Sequence, residues 1–266
     1  MTSTHTLTVP GARLHYEVRG SGPVLLVMGS PMGAAAFAPV ADALATGHTV
    51  VTHDPRGIAG SRLDDPEQES TPQLRADDVA ALLDALGAES ADVFGTSGGA
   101  VTGLALAERH PGRVRTLVAH EAPVLELLPD AAERRAAVED MIDTFHREGL
   151  FAAWRKFMAN AGYGEDDVPG PTGEEPSEQD LADSARFFAH ELRGTTRYTP
   201  DVDALLKGAG RVVVGVGAES GHLIVHRTSM ALAELLGTAP VEFPGEHGGF
   251  IDRPAEFADT LREVLG

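Results

Sequence analysis

The stretch Ala91-Asp92-Val93-Phe94-Gly95-Thr96-Ser97-Gly98-Gly99-Ala100 holds the residue types that nucleophilic catalysis needs. It reads as a strand ending in Gly95-Thr96-Ser97-Gly98-Gly99, followed by a helix through Leu104, Ala105 and Glu108. This is the Gly-x-Ser-x-Gly pattern between strand and helix, where a serine on a sharp turn stands clear of the backbone. Such a turn needs neighbours almost without side chains two positions either side, and Gly95 and Gly99 supply them. The turn would lift the Ser97 hydroxyl above a sheet. It would also aim the first helical N–H groups, Gly98 included, at an oxyanion forming there. The competing account is a glycine-rich loop in which Ser97 only caps the helix.

The rest of the chain has to build the sheet beneath this turn. Residues 5–19 alternate apolar and polar around Pro10-Gly11, which predicts a hairpin. The continuous apolar run Pro23 to Met28 predicts a strand buried on both faces. Helical spacing follows over Ala34 to Ala45 and Pro72 to Leu86, with a strand at Thr49 to His53 between them. A strand over Val114 to Ala119 follows the helix that ends near His110. The alternation then stops. Residues 130–160 and 178–192 read as helical, Asp201 to Lys207 as a short helix, and Tyr163 to Gln179 as an acidic, Gly- and Pro-rich exposed loop. Strand and helix resume at Arg211 to Val216, with a helix from His222 to Leu236. A strand at Pro240 to Phe243, a loop through Phe250 and a helix from Pro254 to Leu265 close the chain. Repeated strand–helix units predict an α/β fold with a mostly parallel sheet and helices on both faces.

Composition bounds the chemistry. The 266 residues suffice for one large α/β domain with an insertion, and 42% hydrophobic content describes an ordinary globule. With no Cys, thiolate nucleophiles, disulfides and cysteine-ligated zinc are excluded. A net charge of -19 argues against nucleic acid or an anionic membrane as a partner. No segment approaches a membrane span, and the first residues lack a basic region followed by an apolar run, so a cytoplasmic location is expected. Neither a Gly-Lys-Ser phosphate loop nor a dinucleotide fingerprint occurs. His53, His120, His222 and His226 show no metal-ligand spacing with nearby carboxylates. No cofactor and no metal are expected.

On these features the chain resembles the α/β-hydrolase family over nearly its whole length. The resemblance rests on the apolar strand ending at Gly29, Asp54-Pro55-Arg56-Gly57, the Gly95-to-Gly99 turn, a helical insertion, and Pro244-Gly245-Glu246-His247-Gly248. It implies three segments: residues 1–121 as the first part of the core, 122–209 as a helical lid, and 210–266 as the second part of the core. It also implies that His247 is the base that activates Ser97. The acid departs from the family pattern, because Ser220 occupies the position where an Asp is usual. Glu219, one residue earlier, and Glu121, directly after the strand Val114 to Ala119, are the two candidates; a dyad without an acid is a third arrangement. The usual His-Gly after the third strand is also absent, the chain reading Met28-Gly29-Ser30-Pro31. By position the oxyanion donors are the backbone N–H groups of Gly98 and Ser30, with the Ser30 hydroxyl as an alternative donor and Met32 N–H as a fallback. Asp54 and Arg56 read as a structural turn.

The insertion carries Met141, Phe145, Phe151, Trp154, Phe157, Met158, Phe187 and Phe188. Some of these would seat it on the core and others, Trp154 among them, would line an apolar pocket, with Met28, Met32 and Phe250 beside the nucleophile. The expected activity is a serine hydrolase acting on a small-to-medium, largely apolar ester or lactone through a Ser-His-acid triad and an acyl-enzyme. Two other readings fit the same residues: a C–C bond hydrolase or lyase/cyclase of natural-product metabolism, and a non-catalytic ligand-binding protein. The expected partner is a small-molecule substrate, and a homodimer is compatible with the sequence.

Overall fold

The computed structural model describes residues 2–164, 176–208 and 210–266, so most of the expected acidic loop from Tyr163 to Gln179 lies outside the described residues. The alternating N-terminal stretch forms β1 (Ser3–Val9) and β2 (Ala12–Gly20), an antiparallel hairpin. β3 (Val24–Met28) follows, then α1 (Ala38–Leu44), β4 (Thr49–His53) and the short β5 (Arg62–Leu63), which pairs with β2. α2 (Pro72–Ala85) starts at Thr71, whose hydroxyl accepts the Leu74 N–H, with Pro72 in the first turn where a missing N–H costs nothing. β6 (Ala91–Thr96), α3 (Gly98–Arg109) and β7 (Val114–His120) complete the first half.

The helical insertion comprises α4 (Ala131–Glu148), α5 (Leu150–Ala161), α6 (Glu178–Arg186), a π-helical turn over Phe187–Glu191, α7 (Leu192–Thr196) and α8 (Val202–Lys207). The single helical stretch expected over 130–160 is broken at Gly149, whose φ of 89° a side chain would resist. β8 (Arg211–Gly217), α9 (Ile224–Leu236), β9 (Val241–Phe243), α10 (Gly249–Asp252) and α11 (Pro254–Leu265) end the chain.

The strands order as β1-β2-β4-β3-β6-β7-β8-β9. From β4 to β9 all pairings are parallel, and the antiparallel pairs involve β2 at one edge. β6 is buried along its whole length, as a central parallel strand with helices on both faces must be. One face packs Val93, Leu117 and Leu26 against Leu82 of α2 and Leu104 of α3. The other packs Phe94, Val118 and Val50 against Leu44 of α1 and Phe257 and Leu261 of α11. The insertion has a cluster of its own around Val138, Met141, Phe188 and Leu192. Among the described residues no helix is long and apolar enough to cross a membrane.

Candidate active site

Ser97 joins β6 to α3 with φ 54° and ψ -127°, a region that non-glycine residues rarely enter. The flanking glycines answer a close approach. A Cβ on Gly95 would lie 2.5 Å from the Gly99 carbonyl oxygen, and one on Gly99 would lie 2.4 Å from that of Met28. The Ser97 N–H donates to the carbonyl of His120 at 3.0 Å, which ties the Ser97 turn to the end of β7. Gly98 is the first residue of α3, so its N–H has no acceptor within the helix and forms part of the positive end of the helix dipole.

The residue after His120 is Glu121, also at positive φ, 50°. Its N–H donates to the Gly215 carbonyl at 3.0 Å, which turns the side chain across the end of β8. One carboxylate oxygen accepts the Gly217 N–H at 3.0 Å and the other lies 2.7 Å from Nδ1 of His247. Glu121 is fully buried. Burial alone would raise its pKa, but the hydrogen bond from His247, the two neighbouring imidazoles and the Gly217 N–H outweigh that and bring it to about 2. An ionised carboxylate only accepts, so the hydrogen-bonded Nδ1 carries a proton and Nε2 is left as the basic nitrogen. His247 and Ser97 line the same cavity.

Glu219, the other candidate acid, pairs elsewhere. It is half exposed and pairs with Arg253 at 2.8 Å. Its chain direction explains this: Ala218 N–H and Glu219 N–H are held by the carbonyls of Phe243 and Gly245, and Ser220, not Glu219, turns inward to full burial. Glu121 thus takes the histidine.

Ser30, Gly98, Met32 and Trp154 line the cavity with Ser97 and His247, which encloses about 270 Å³. Met28 and Phe250 do not. Met28 sits under α3 in the core beside the sheet, and Phe250 stacks on Phe37 at 5.0 Å in the opposite layer. A residue in a strand buried on both faces need not point at the site, and Phe250 belongs to α10 rather than to a loop. Met141, Phe157 and Phe187 add apolar walls, with Trp154 stacked on Phe187 at 5.7 Å. Phe188 is buried in the insertion's own cluster, and Phe151 is exposed.

Ser30 does not offer its hydroxyl to the cavity, because that hydroxyl donates to the carboxylate of Glu191. Its backbone lies against Gly98, where an added Cβ would be 2.8 Å from the Ser30 carbonyl oxygen. Glu191 was not singled out by sequence. It is 1% exposed, lies 3.4 Å from Nη1 of the equally buried Arg75, and burial raises its carboxyl pKa against the pull of Arg75 and Arg186. The signal was there: Glu191 falls four residues after Phe187 and three after Phe188, on an apolar helical face. Asp54 accepts the N–H groups of Ala34 and Gly60, and Arg56 forks onto Asp78 at 2.8 and 2.6 Å, so both serve the turn they were assigned to.

Among the described residues one trio could hold a metal ion: His120, Glu121 and His247, with ligand atoms within 4.8 Å of one another. Both Glu121 oxygens are already engaged, and Nδ1 of His120 pairs with the Thr96 hydroxyl at 3.0 Å. Burial lowers the His120 pKa to about 4, so it is a neutral ring beside the pair.

The family model for the alpha/beta hydrolase fold matches residues 22–153. The uncharacterized hydrolase YraK of Bacillus subtilis (strain 168) is 36% identical over 267 residues, covering 98% of this chain and 95% of that one. The chain belongs to the α/β-hydrolase family. A zearalenone hydrolase of Cladophialophora bantiana is 36% identical to this hydrolase over 121 residues, 44% of this chain and 46% of the other. Among solved structures, an alpha/beta hydrolase from Sphaerobacter thermophilus superposes with a TM-score of 0.77 at 24% identity, covering 98% of this chain and all of that one. A thermophilic esterase from Thermogutta terrifontis gives 0.76 at 22%, covering 100% and 98%. These likenesses to solved structures speak for the fold alone.

Proposed function

We propose that the protein is a serine hydrolase of small-to-medium, largely apolar esters or lactones, with Ser97 as nucleophile, His247 as general base and Glu121 as the acid of the triad. The observation that carries this is the buried Glu121 carboxylate 2.7 Å from His247 Nδ1, with His247 and Ser97 bordering one apolar cavity. In this reading His247 Nε2 takes the Ser97 proton as Oγ bonds to the substrate carbonyl carbon. The carbonyl oxygen becomes an oxyanion against the N–H groups of Gly98 and Ser30. Collapse expels the alkoxide, which receives the proton from Nε2. Water then gives a proton to Nε2 and attacks the acyl-enzyme, releasing the acid and restoring Ser97. The ionised Glu121 keeps the ring in one tautomer and stabilises its charged form in both halves. The cavity's size and the walls from Met141, Trp154, Phe157 and Phe187 favour an apolar acyl or ring group, and the insertion acts as the lid over it.

The test is labelling with a fluorophosphonate probe, site mapping by mass spectrometry and turnover of a neutral p-nitrophenyl ester series. Labelling at Ser97, with label and turnover both lost in folded Ser97→Ala, is the expected result. Turnover that survives Ser97→Ala would overturn the mechanism, and an inert wild type would direct attention to C–C bond substrates.

A further inference from the structure

The insertion and the nucleophile turn are joined beneath the cavity by a buried chain of polar groups that the triad does not use. It begins at the Gly98 carbonyl, which accepts the Thr102 hydroxyl at 3.0 Å. Thr102 in turn accepts Nε of Arg75 at 2.9 Å. Arg75 continues through Nη1 to Glu191, and Glu191 receives the Ser30 hydroxyl. The chain then closes, because Ser30 packs directly on Gly98. None of the four side chains is more than 3% exposed. Arg75 is fixed at two further points, the Ser70 carbonyl at 2.6 Å and the Thr195 hydroxyl of α7 at 2.9 Å. Its position is therefore referred at once to α2, to α3 and to the insertion.

Glu191 reaches this chain because the helix is locally widened. The Leu192 N–H bonds to the Phe187 carbonyl, five residues back, which makes the turn π-helical. Such turns are uncommon and cluster at functional sites. The other Glu191 oxygen is buried and has no hydrogen-bond partner among the described residues. A fold that spends a widened turn and a half-satisfied carboxylate on one serine gains little stability from the arrangement, since a buried ion pair is seldom better than apolar packing. What it gains is geometry.

We propose that Glu191 is a positioning residue for the oxyanion site: by taking the Ser30 hydroxyl it fixes the Ser30 backbone against Gly98, so that the two N–H groups converge on one point. The proposal rests on the acyl-transfer reading above. Oxyanion donors act only if they are in place before charge develops, and a donor on a loop after a strand end has no helix to hold it. Glu191 touches neither substrate nor nucleophile. It acts through Ser30.

The experiment compares wild type, Ser30→Ala, Glu191→Leu, which has no acceptor for the Ser30 hydroxyl, and the double variant for the rate of fluorophosphonate labelling at Ser97 and for kcat and KM on a neutral p-nitrophenyl ester. Ser30→Ala keeps its N–H and loses only the tether. Each single variant should lower the labelling rate and kcat by about ten- to a hundredfold, below the roughly 10²–10³ for deleting a donor outright, with KM little changed. The double variant should be no slower than the slower single, since both remove the same link. Wild-type rates in Ser30→Ala, or losses that multiply in the double, would overturn the proposal. If Glu191→Leu does not fold, Ser30→Ala alone decides by the same criterion. Wild type that is neither labelled at Ser97 nor active would remove the acyl-transfer reading and this proposal with it. Normal labelling that ignores both substitutions removes this proposal alone.

Discussion

Ser97 and Glu121 both sit at positive φ, each at the first residue beyond a parallel strand, and their N–H groups are held by the carbonyls of His120 and Gly215. The two side chains are therefore set by backbone that has little freedom to move. Replacing Glu121 with Gln should keep this geometry and lose the charge. The amide can also donate to Nδ1 and so favour the wrong tautomer, and a fall in kcat of about 10³–10⁴ is expected. Glu219→Gln, on the solvent side of Arg253, should leave kcat unchanged in the same assay. His120 supplies a second prediction. Its pKa is lowered from 6.5 to about 4 by burial, so the unfolded chain binds a proton there before the folded protein does. The stability from a neutral His120 is complete above its ordinary value and is lost as pH falls from about 6.5 towards 4. Thermal melts should show the midpoint dropping over that window, with a shallower drop in His120→Gln than in wild type. Ser97 was legible because everything that defines it lies within five residues. The acid was not, because Glu121 and Glu219 differ only in how two strand ends far apart in sequence are bonded, which spacing does not record. Glu191 was passed over for another reason: its place on the face of Phe187 and Phe188 is a faint mark in a chain with 40 Asp and Glu, where a carboxylate on a helix usually reads as surface.

At the level of elements, the strand–helix alternation and its interruption were readable because β3 and the middle of β8 are apolar runs, β4 and β6 carry Val50-Val51 and Val93-Phe94 at their centres, and the helices between them keep their spacing. The break at Gly149, the widened turn before Leu192 and the inward facing of Met28 were not. Each depends on what packs against the element rather than on its own pattern. The turn after β4 shows a correctly read structural motif. Arg56 leaves β4 and forks onto Asp78 of α2, both buried, with Gln68 accepting a third bond at 2.9 Å. Removing one member of such a pair strands a buried charge. Arg56→Ala should cost about 3–5 kcal/mol, visible as a denaturant midpoint shift, while kcat of the folded fraction holds. A large loss of kcat without loss of stability would instead make Arg56 part of the chemistry.

Over the whole molecule the charge of -19 sets a field that a substrate meets before it meets the site. Matched anionic, neutral and cationic esters should differ most at low ionic strength. The anionic ester should have the lowest kcat/KM, and the gap should close as salt is added over roughly 0.01–0.5 M. A salt-independent order would mean that the mouth of the cavity is shielded from that field. The proposed triad is held by the sheet: Ser97 and Glu121 directly follow β6 and β7, His247 lies in the loop after β9, and the backbone and side-chain bonds that fix them run through β7 and β8.

That division has a consequence for how such a molecule can change. If Ser97, Glu121 and His247 react as proposed, their anchoring in the sheet makes the stretch between β7 and β8 in principle an exchangeable module, free to be rebuilt around a new ligand without disturbing the groups below. The Ser30–Glu191 bond sets a condition on that freedom. A foreign cap grafted onto this sheet would inherit a nucleophile ready to react and an anion cradle out of true, until some residue of the graft came to hold Ser30 again.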